Sequence, residues 1–383
     1  MTHAARRIRE IPLAGCADQI LARLAAAANS PAIEQIDGAT VLGERAMLGG
    51  MTIPGRTSAG GGCRMFDAMD DTVALNLARP ADRELLPALF ETSTLDCRDD
   101  AGIAAAIAAH EATTLVERGR SLGLAISAGH ENLLKSSSDA CEQITAGPPR
   151  LTTVRETPRV VDLSALWAGP LAGHLLSLAG ARVIKVESRT RPDGMRGNKE
   201  FFALLNQGKS SVVLDFKDDS DRCALVSLIT QSDIVIESAR PRALMQLGID
   251  AGQLVRTTPG LVWVTITGHG VVGESANWVG FGDDCAVAGG LSAALDDATG
   301  RTGFVGDAIA DPLTGIRAAL VAWETWSSRR GGRFVLSMSQ VIAQCLAAAR
   351  AEDPAALNSC LLAWSAAVGE PFPTVKRRQI GER

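Results

Sequence analysis

The chain has 383 residues, 46% of them hydrophobic and 21% charged, and carries a net charge of −5. That length holds two domains with real cores, and the acidic balance excludes the usual signatures of a nucleic-acid or anionic-membrane partner. No window reaches the roughly 18 apolar residues of a bilayer span, and the basic start MTHAARRIRE is not followed by the long apolar run of a secretion signal.

In chain order, an Ala-rich helix is predicted at about 16–29, followed by a glycine-containing loop at 49–62. CRMFDAMDDTVALNLAR reads as two short strands around the turn Asp70-Asp71. A helix then starts behind Pro80, and residues 101–123 form an Ala-rich helix stopping at Gly123. This predicts a small α/β domain over 1–130. The charged, Ser/Gly/Pro-containing segment 131–157 reads as a linker. From there RVVDL, RVIKVE, SVVLDF, DIVIES and LVWVTIT are apolar strands, with helices at about 170–179, 219–231 and 242–247 between several of them. A long helix at about 312–329 precedes a last strand, RFVLSMS. Apolar strands alternating with helices predict a doubly wound, mostly parallel α/β sheet over 158–345, Rossmann-like, with residues 346–383 as a C-terminal tail.

Eight cysteines, at 16, 63, 97, 141, 223, 285, 345 and 360, form no CxxC pair and no Cys/His cluster at zinc spacing. Reduced thiols in a cytoplasmic protein without a bound metal are the expectation. Tyrosine is absent, which excludes a tyrosine acid, and the only histidines are His3, His110, His130, His174 and His269. GHGVVG at 268–273 fits G-x-G-x-x-G, but the turn-rich GESANWVGFGDD that follows is no helix, so a dinucleotide fingerprint is disfavoured.

The segments RVVDLSALWAGPLAGHLLSLAGARVIKVE, LLNQGKSSVVLDFK, DIVIESARPRALMQLGI, LVWVTITGHG and FVGDAIADPLTG, in that order, resemble the family III CoA transferases. The resemblance is strong over 158–340 and weaker over 56–125. In most members the small domain follows the large one, so the order here looks circularly permuted. The resemblance implies transfer of CoA from an acyl-CoA to a carboxylic acid, with the CoA thioester as substrate and no separate cofactor. It also implies a homodimer whose subunits are commonly interlocked.

Several residues carry that implication. Asp311 in DAIADPLTGI reads locally as a helix N-cap before Pro and matches the family's nucleophilic aspartate. An unperturbed carboxyl is ionised at neutral pH and needs no base to attack a thioester. Gly60, Gly61 and Gly62 are ordinarily just a flexible loop; by resemblance they are the glycine loop that covers the site. Leu166, Trp167 and Ala168 fall where the family contacts CoA. Lys209, Leu214, Lys217, Ser238, Arg240 and Gln246, with Arg242, fall where its phosphoadenosine end is held. Lysines at strand ends are ordinarily solvated. The usual ENFRPG reads ESARPR here, so Ser238 and Ala239 replace an Asn and an aromatic residue, and Gln246 replaces an Arg. Phe281 stands where the related α-methylacyl-CoA racemases have a histidine. The carboxylate position after it is Gly282, with Asp283 and Asp284 adjacent. A racemase and a non-catalytic CoA-binding protein are the alternatives.

Overall fold

The computed structural model describes residues 10–93, 96, 98–131, 139–151 and 156–378, with backbone alone for Pro241 and Arg242. His3, Cys97 and the linker stretches 132–138 and 152–155 lie outside the described residues.

Among the described residues, ten strands form two sheets. In the smaller, β1 (Cys63–Asp67), β2 (Thr72–Asn76) and β3 (Ala125–Ala128) run antiparallel in that order. The larger contains β4 (Cys141–Gly147), β5 (Arg159–Asp162), β6 (Arg182–Ser188), β7 (Ser210–Leu214), β8 (Ile234–Glu237), β9 (Val262–Thr267) and β10 (Gly331–Ser337). Their order is β4-β10-β9-β8-β5-β6-β7, parallel throughout except at the β4 edge. This is the expected doubly wound α/β sheet with a smaller α/β unit. The chain leaves β5 toward β6 and β7, then returns to β8 on the other side of β5. A crevice therefore opens at the carboxyl ends of β5 and β8, the place where open α/β sheets bind ligands.

Helices cover both faces of the large sheet, so β8 is buried along its whole length and β9 nearly so. The βαβ unit at 159–188 forms as its sequence predicts, with one change at the turn. Helix Ala168–Leu178 takes Ala168, Gly169 and Pro170 as its own first residues, and the left-handed position falls on Leu166 (φ 68°). Gly169 is needed for space, because a Cβ there would overlap the Ser164 side chain.

The small unit has its own core of Phe66, Val73, Leu75, Leu86, Leu115 and Ile126. The single helix expected at 101–123 is two, Asp100–Ala108 and Ala112–Leu122. Asp70 accepts the Ala112 N–H at 2.8 Å and so starts the second helix, and Gly123 (φ 81°) ends it.

Packing departs from the expected boundaries in three places. Helices Ala14–Ala28 and Gly38–Leu48 do not join the small unit. Their Ala17, Leu21, Leu24 and Leu42 lie in the large core with Ile316, Ala319 and Leu346. The expected linker contains β4, an edge strand with no fully buried residue, whose CEQITAG sequence lacks an apolar face. The expected tail continues as helices Met338–Glu352 and Pro354–Ala366, where Trp364 is buried and donates its indole N–H to Phe304 O at 3.1 Å. The chain then runs back past helix Gly38–Leu48 and helix Lys199–Asn206, pairing Arg378 with Glu44, Arg377 with Glu200 and Lys376 with Asp37. Of these cations Lys376 and Arg377 stay exposed, and Arg378 is enclosed against Glu44.

Candidate active site

Asp311, expected as the cap, sits instead in the first turn of helix Ala310–Ser327, two positions past Ile309, which occupies the cap. The residue is half-buried, and the backbone N–H of Ala168, at the start of helix Ala168–Leu178, faces its carboxyl and lowers its pKa. Two segments far apart in sequence therefore meet at one carboxylate. Around it stand Asp283, Asp284 and Asp307, with the half-buried cation Arg45 from helix Gly38–Leu48. Arg45 binds Asp307 through both Nε (2.8 Å) and Nη2, and its guanidinium lies 4.7 Å from the centroid of the Trp167 ring. Burial alone would lower the Arg45 pKa, but Asp307, Asp283 and Asp311 raise it, so it stays charged. The sequence reading did not find Arg45 or Asp307.

Gly282 lies directly beneath Asp311. A Cβ there would overlap Asp311 Oδ2 and the Ala308 carbonyl oxygen, so only glycine allows this approach. Gly282→Ala is expected to displace the Asp311 carboxyl, to cost about 1–3 kcal/mol by overpacking, and to lower turnover more than ligand affinity. Urea unfolding read beside kcat and KM checks this.

The glycine run reaches the same cluster. Ser58 is buried and its hydroxyl bonds the Asp283 carboxyl, while a Cβ on Gly60 would come within 3.4 Å of Arg45 Nη2. Gly60 and Gly61 are exposed, Gly61 has φ 75°, and Gly62 accepts the Leu77 N–H at 2.8 Å. The loop is rooted on the acidic site and open at its tip.

Burial dominates the titration of the cluster. It pushes Asp311 up to about 7, although Arg45 and the Ala168 N–H pull it back, and Asp283 pushes it further. The expectation of a fully ionised carboxylate is thereby corrected: near neutral pH Asp311 is divided between its two forms. Burial likewise takes Asp283 to about 6 and Asp284 to about 8. Asp284 accepts the N–H of Phe281 (3.0 Å) and Nδ2 of Asn76 (3.3 Å). A carboxyl raised in the folded state holds a proton that the unfolded chain has released. Its stabilisation is complete below about pH 4 and is lost as pH rises toward the folded value. Asp284→Asn should therefore flatten the fall in stability between pH 5 and 8, by about 2 kcal/mol or more over that window, as read from unfolding curves at each pH.

The residues expected at CoA separate into two groups. Leu166, Lys217, Ser238, Arg240 and Gln246 are exposed, and Ser238 Oγ accepts the Ala165 N–H at 3.4 Å across the β5–β8 crevice. Trp167 is buried, packs edge-on against Phe201 at 5.0 Å and leaves its indole N–H without a partner. Trp167 therefore packs under Arg45 instead of presenting a face to solvent. Ala168 and Leu214 are also buried. The side chain of Arg242 lies outside the described residues.

Lys209 is corrected from a phosphate contact to a structural cation. Its ammonium is enclosed and donates to Asp162 Oδ2 (2.8 Å), Pro170 O (2.8 Å) and Asn206 Oδ1 (3.1 Å). Burial would raise Asp162, but Lys209 and Lys185 hold it down at about 2. Lys209→Met should cost about 3–5 kcal/mol by stranding that charge. Lys217→Ala should leave the unfolding curve in place and weaken acyl-CoA binding. Parallel denaturation and calorimetry distinguish the two lysines.

With this geometry in place, comparison with known proteins identifies the chain. The sequence profile of CoA-transferase family III matches residues 156–350, a stretch that holds β5 to β10, Ala168 and Asp311. The chain belongs to CoA-transferase family III. It is 31% identical over 172 residues to a succinyl-CoA–D-citramalate CoA-transferase of Chloroflexus aurantiacus, covering 43% of each chain. It is 34% identical over 175 residues to a succinate–glutarate CoA-transferase of Agrobacterium fabrum, covering 41% of this chain and 43% of the relative. The chain thus spans under half the length of these curated relatives. A solved CaiB/BaiF family protein from Brucella suis superposes with TM-score 0.46 at 27% identity, over 52% of this chain and 58% of that one.

Two further features stand beside the site of this family III chain. GHGVVG leads into a single 3-10 turn, Gly273–Asn277, and not into an α-helix, so it lacks the helix N-terminus that would hold a pyrophosphate. His269 within it is buried, packs edge-on against Trp278 at 5.8 Å and is held neutral by burial, its pKa falling to about 3. Among the described residues, His269, Asp284 and Cys285 bring ligand atoms within 4.8 Å of one another, the one grouping close enough to share a metal. A cleft of about 670 Å³ opens beside Trp278, where Arg120 stacks at 4.1 Å from the ring centroid. Its walls carry Asp70, Asp71, Glu117, Glu131 and Glu274, which disfavours an anionic CoA there. Among the described residues, no helix is long and apolar enough to cross a membrane.

Proposed function

We propose that this chain is an acyl-CoA:carboxylate CoA transferase that works through Asp311. The observation that carries the reading is the seating of Asp311 against the start of helix Ala168–Leu178: the two helices pack so closely that a Cβ on Gly315 would overlap Ala168 O, and the Ala168 N–H lowers the Asp311 pKa. It joins the turn expected to hold CoA to the residue expected to attack its thioester.

In the proposed sequence, the Asp311 carboxylate attacks the thioester carbonyl of the donor. The C–S bond breaks, giving an aspartyl-acyl anhydride and CoA thiolate. The thiolate attacks the aspartyl carbonyl and expels the donor acid as its carboxylate, leaving an aspartyl-CoA thioester. An acceptor carboxylate attacks that thioester, again releasing the thiolate. The thiolate takes the acceptor acyl group from the new anhydride and frees Asp311. No net proton is consumed.

The surrounding residues suit these steps. The Ala168 N–H orients the carboxyl, and the start of helix Ala168–Leu178 favours its charge. Arg45 balances negative charge that Asp283 and Asp307 would otherwise leave unopposed. Both covalent intermediates hydrolyse readily, and the loop Gly60-Gly61-Gly62, rooted through Ser58, is the cover we assign for excluding water. CoA lies along the β5–β8 crevice past Leu166 and Ser238, with Arg240 and Lys217 toward its phosphates. Two such chains form the working homodimer.

The test is CoA exchange from a panel of acyl-CoA donors, succinyl-CoA first because relatives are named for it, to isotopically labelled carboxylates. Label appearing in a new acyl-CoA supports the reading. Exchange of the α-proton without CoA transfer would replace it with a racemase, and binding without either would leave a CoA-binding protein.

A further inference from the structure

We propose that Cys16 and Cys345 form a reversible disulfide that locks helix Ala14–Ala28 onto helix Met338–Glu352. The two sulfurs lie 2.6 Å apart, although 329 positions separate them in sequence. That is closer than unbonded sulfurs rest and about 0.6 Å longer than the ~2.05 Å bond itself. A disulfide here does not depend on the CoA-transferase reading.

The two thiols differ in the way a reactive and a resolving cysteine differ. Cys16 is part-exposed and lies in the first turn of helix Ala14–Ala28, where the helix dipole favours an anion. The hydrogen bond with Cys345 lowers its pKa first; burial opposes this, Arg317 on the neighbouring helix Ala310–Ser327 adds to it, and Glu352 opposes it. Cys345, on helix Met338–Glu352, is buried at 2% exposure, and the contact with Cys16 together with burial pushes its thiol up. An oxidant therefore meets Cys16 first, and Cys345 waits protonated behind it.

With a small-molecule disulfide such as oxidised glutathione as oxidant, the chemistry balances. Cys16 thiolate attacks one sulfur of that disulfide, which breaks and releases one glutathione thiolate. Cys345 gives its proton to the departing thiolate and attacks the Cys16 sulfur, expelling the second glutathione. Two protein thiols are oxidised and one glutathione disulfide is reduced to two thiols.

The bond would cross-link a seam that is already packed. Ala17, Leu21 and Leu24 of helix Ala14–Ala28 lie in the large core with Ile316, Ala319 and Leu346, and Trp323 donates its indole N–H to Ala27 O at 3.1 Å. The exposed Gln19–Glu352 (3.0 Å) and Arg23–Glu324 (2.6 Å) contacts at its edge add little. The same helix leads into Gly38–Leu48, which carries Arg45 into the acidic site. Oxidation would thereby fix the segment that supplies the site's cation.

The test equilibrates the full chain with glutathione buffers of rising oxidised fraction, then denatures and alkylates it for intact mass and peptide mapping. The chain has eight cysteines, so the oxidised form should take up six alkyl groups, with Cys16 and Cys345 recovered in one cross-linked peptide. Its melting temperature should rise by about 5 °C or more and return on reduction. Cys345→Ala should instead trap glutathione on Cys16, whereas Cys16→Ser should leave the buried Cys345 unmodified. Eight alkylated thiols at every ratio, or a stable glutathione adduct on Cys16 of the wild-type chain, would overturn the proposal.

Discussion

Asp311→Asn is expected to lower CoA exchange by about 1,000-fold or more while leaving the fold and acyl-CoA binding in place. The amide keeps the shape of the carboxyl and an oxygen that the Ala168 N–H can still face. What it loses is the nucleophilic oxygen, and nothing nearby replaces it. Asp283 is tied to Ala308 N–H (3.0 Å) and Ser58, Asp284 to Phe281 N–H and Asn76, and Asp307 to Arg45. The substitution also removes a negative charge from a crowded site. Stability near pH 8 should therefore hold or rise, which separates a catalytic loss from an unfolded protein. Steady-state exchange rates, calorimetric binding of acyl-CoA and urea unfolding together check it.

Arg45→Met is expected to produce the largest loss of stability at the site, about 3–5 kcal/mol. Asp307 is wholly buried, and Arg45 binds it with two nitrogens. Without the guanidinium that carboxyl has no charge partner, and Asp311, now beside uncompensated acids, should titrate above 7. Exchange should fall with the fold, and its pH profile should move upward. The double variant Arg45→Met/Asp307→Asn removes both charges and should recover most of the stability, but not the lowered pKa that Arg45 gives Asp311. Recovery of both would reduce Arg45 to a packing residue. A double-mutant cycle in unfolding free energy, with pH-rate profiles, reads the two effects apart.

The sheet was legible because its strands are buried on both faces, so VVD, IVI and VWVTIT stand out as apolar runs. The edge strand β4 was not, because one flank is open, none of its residues is fully buried and CEQITAG reads like a linker. The C-terminal helices were missed for a related reason. They close the core against residues from the other end of the chain, a partnership that local periodicity does not record. At the site, Asp311 and the glycine run were visible as short local patterns. Arg45 was not, because within GATVLGERAML it looks like any surface arginine, and only folding brings it over Trp167 and onto Asp307. Lys209 illustrates the converse. A lysine before a strand reads as solvated or phosphate-binding, yet three oxygens of the chain itself enclose it. The raised pKa of Asp311 likewise comes from burial and neighbouring acids that a residue's own reference value does not contain.

The most direct measurement is intact-mass spectrometry of the chain after brief incubation with acyl-CoA donors, with and without hydroxylamine, beside Asp311→Asn. The account predicts a CoA-sized adduct on the wild-type chain. Hydroxylamine should convert it to a hydroxamate that maps to Asp311, and the variant should carry neither. An unmodified wild-type chain under conditions where CoA is being exchanged, or an adduct that survives in Asp311→Asn, would contradict it.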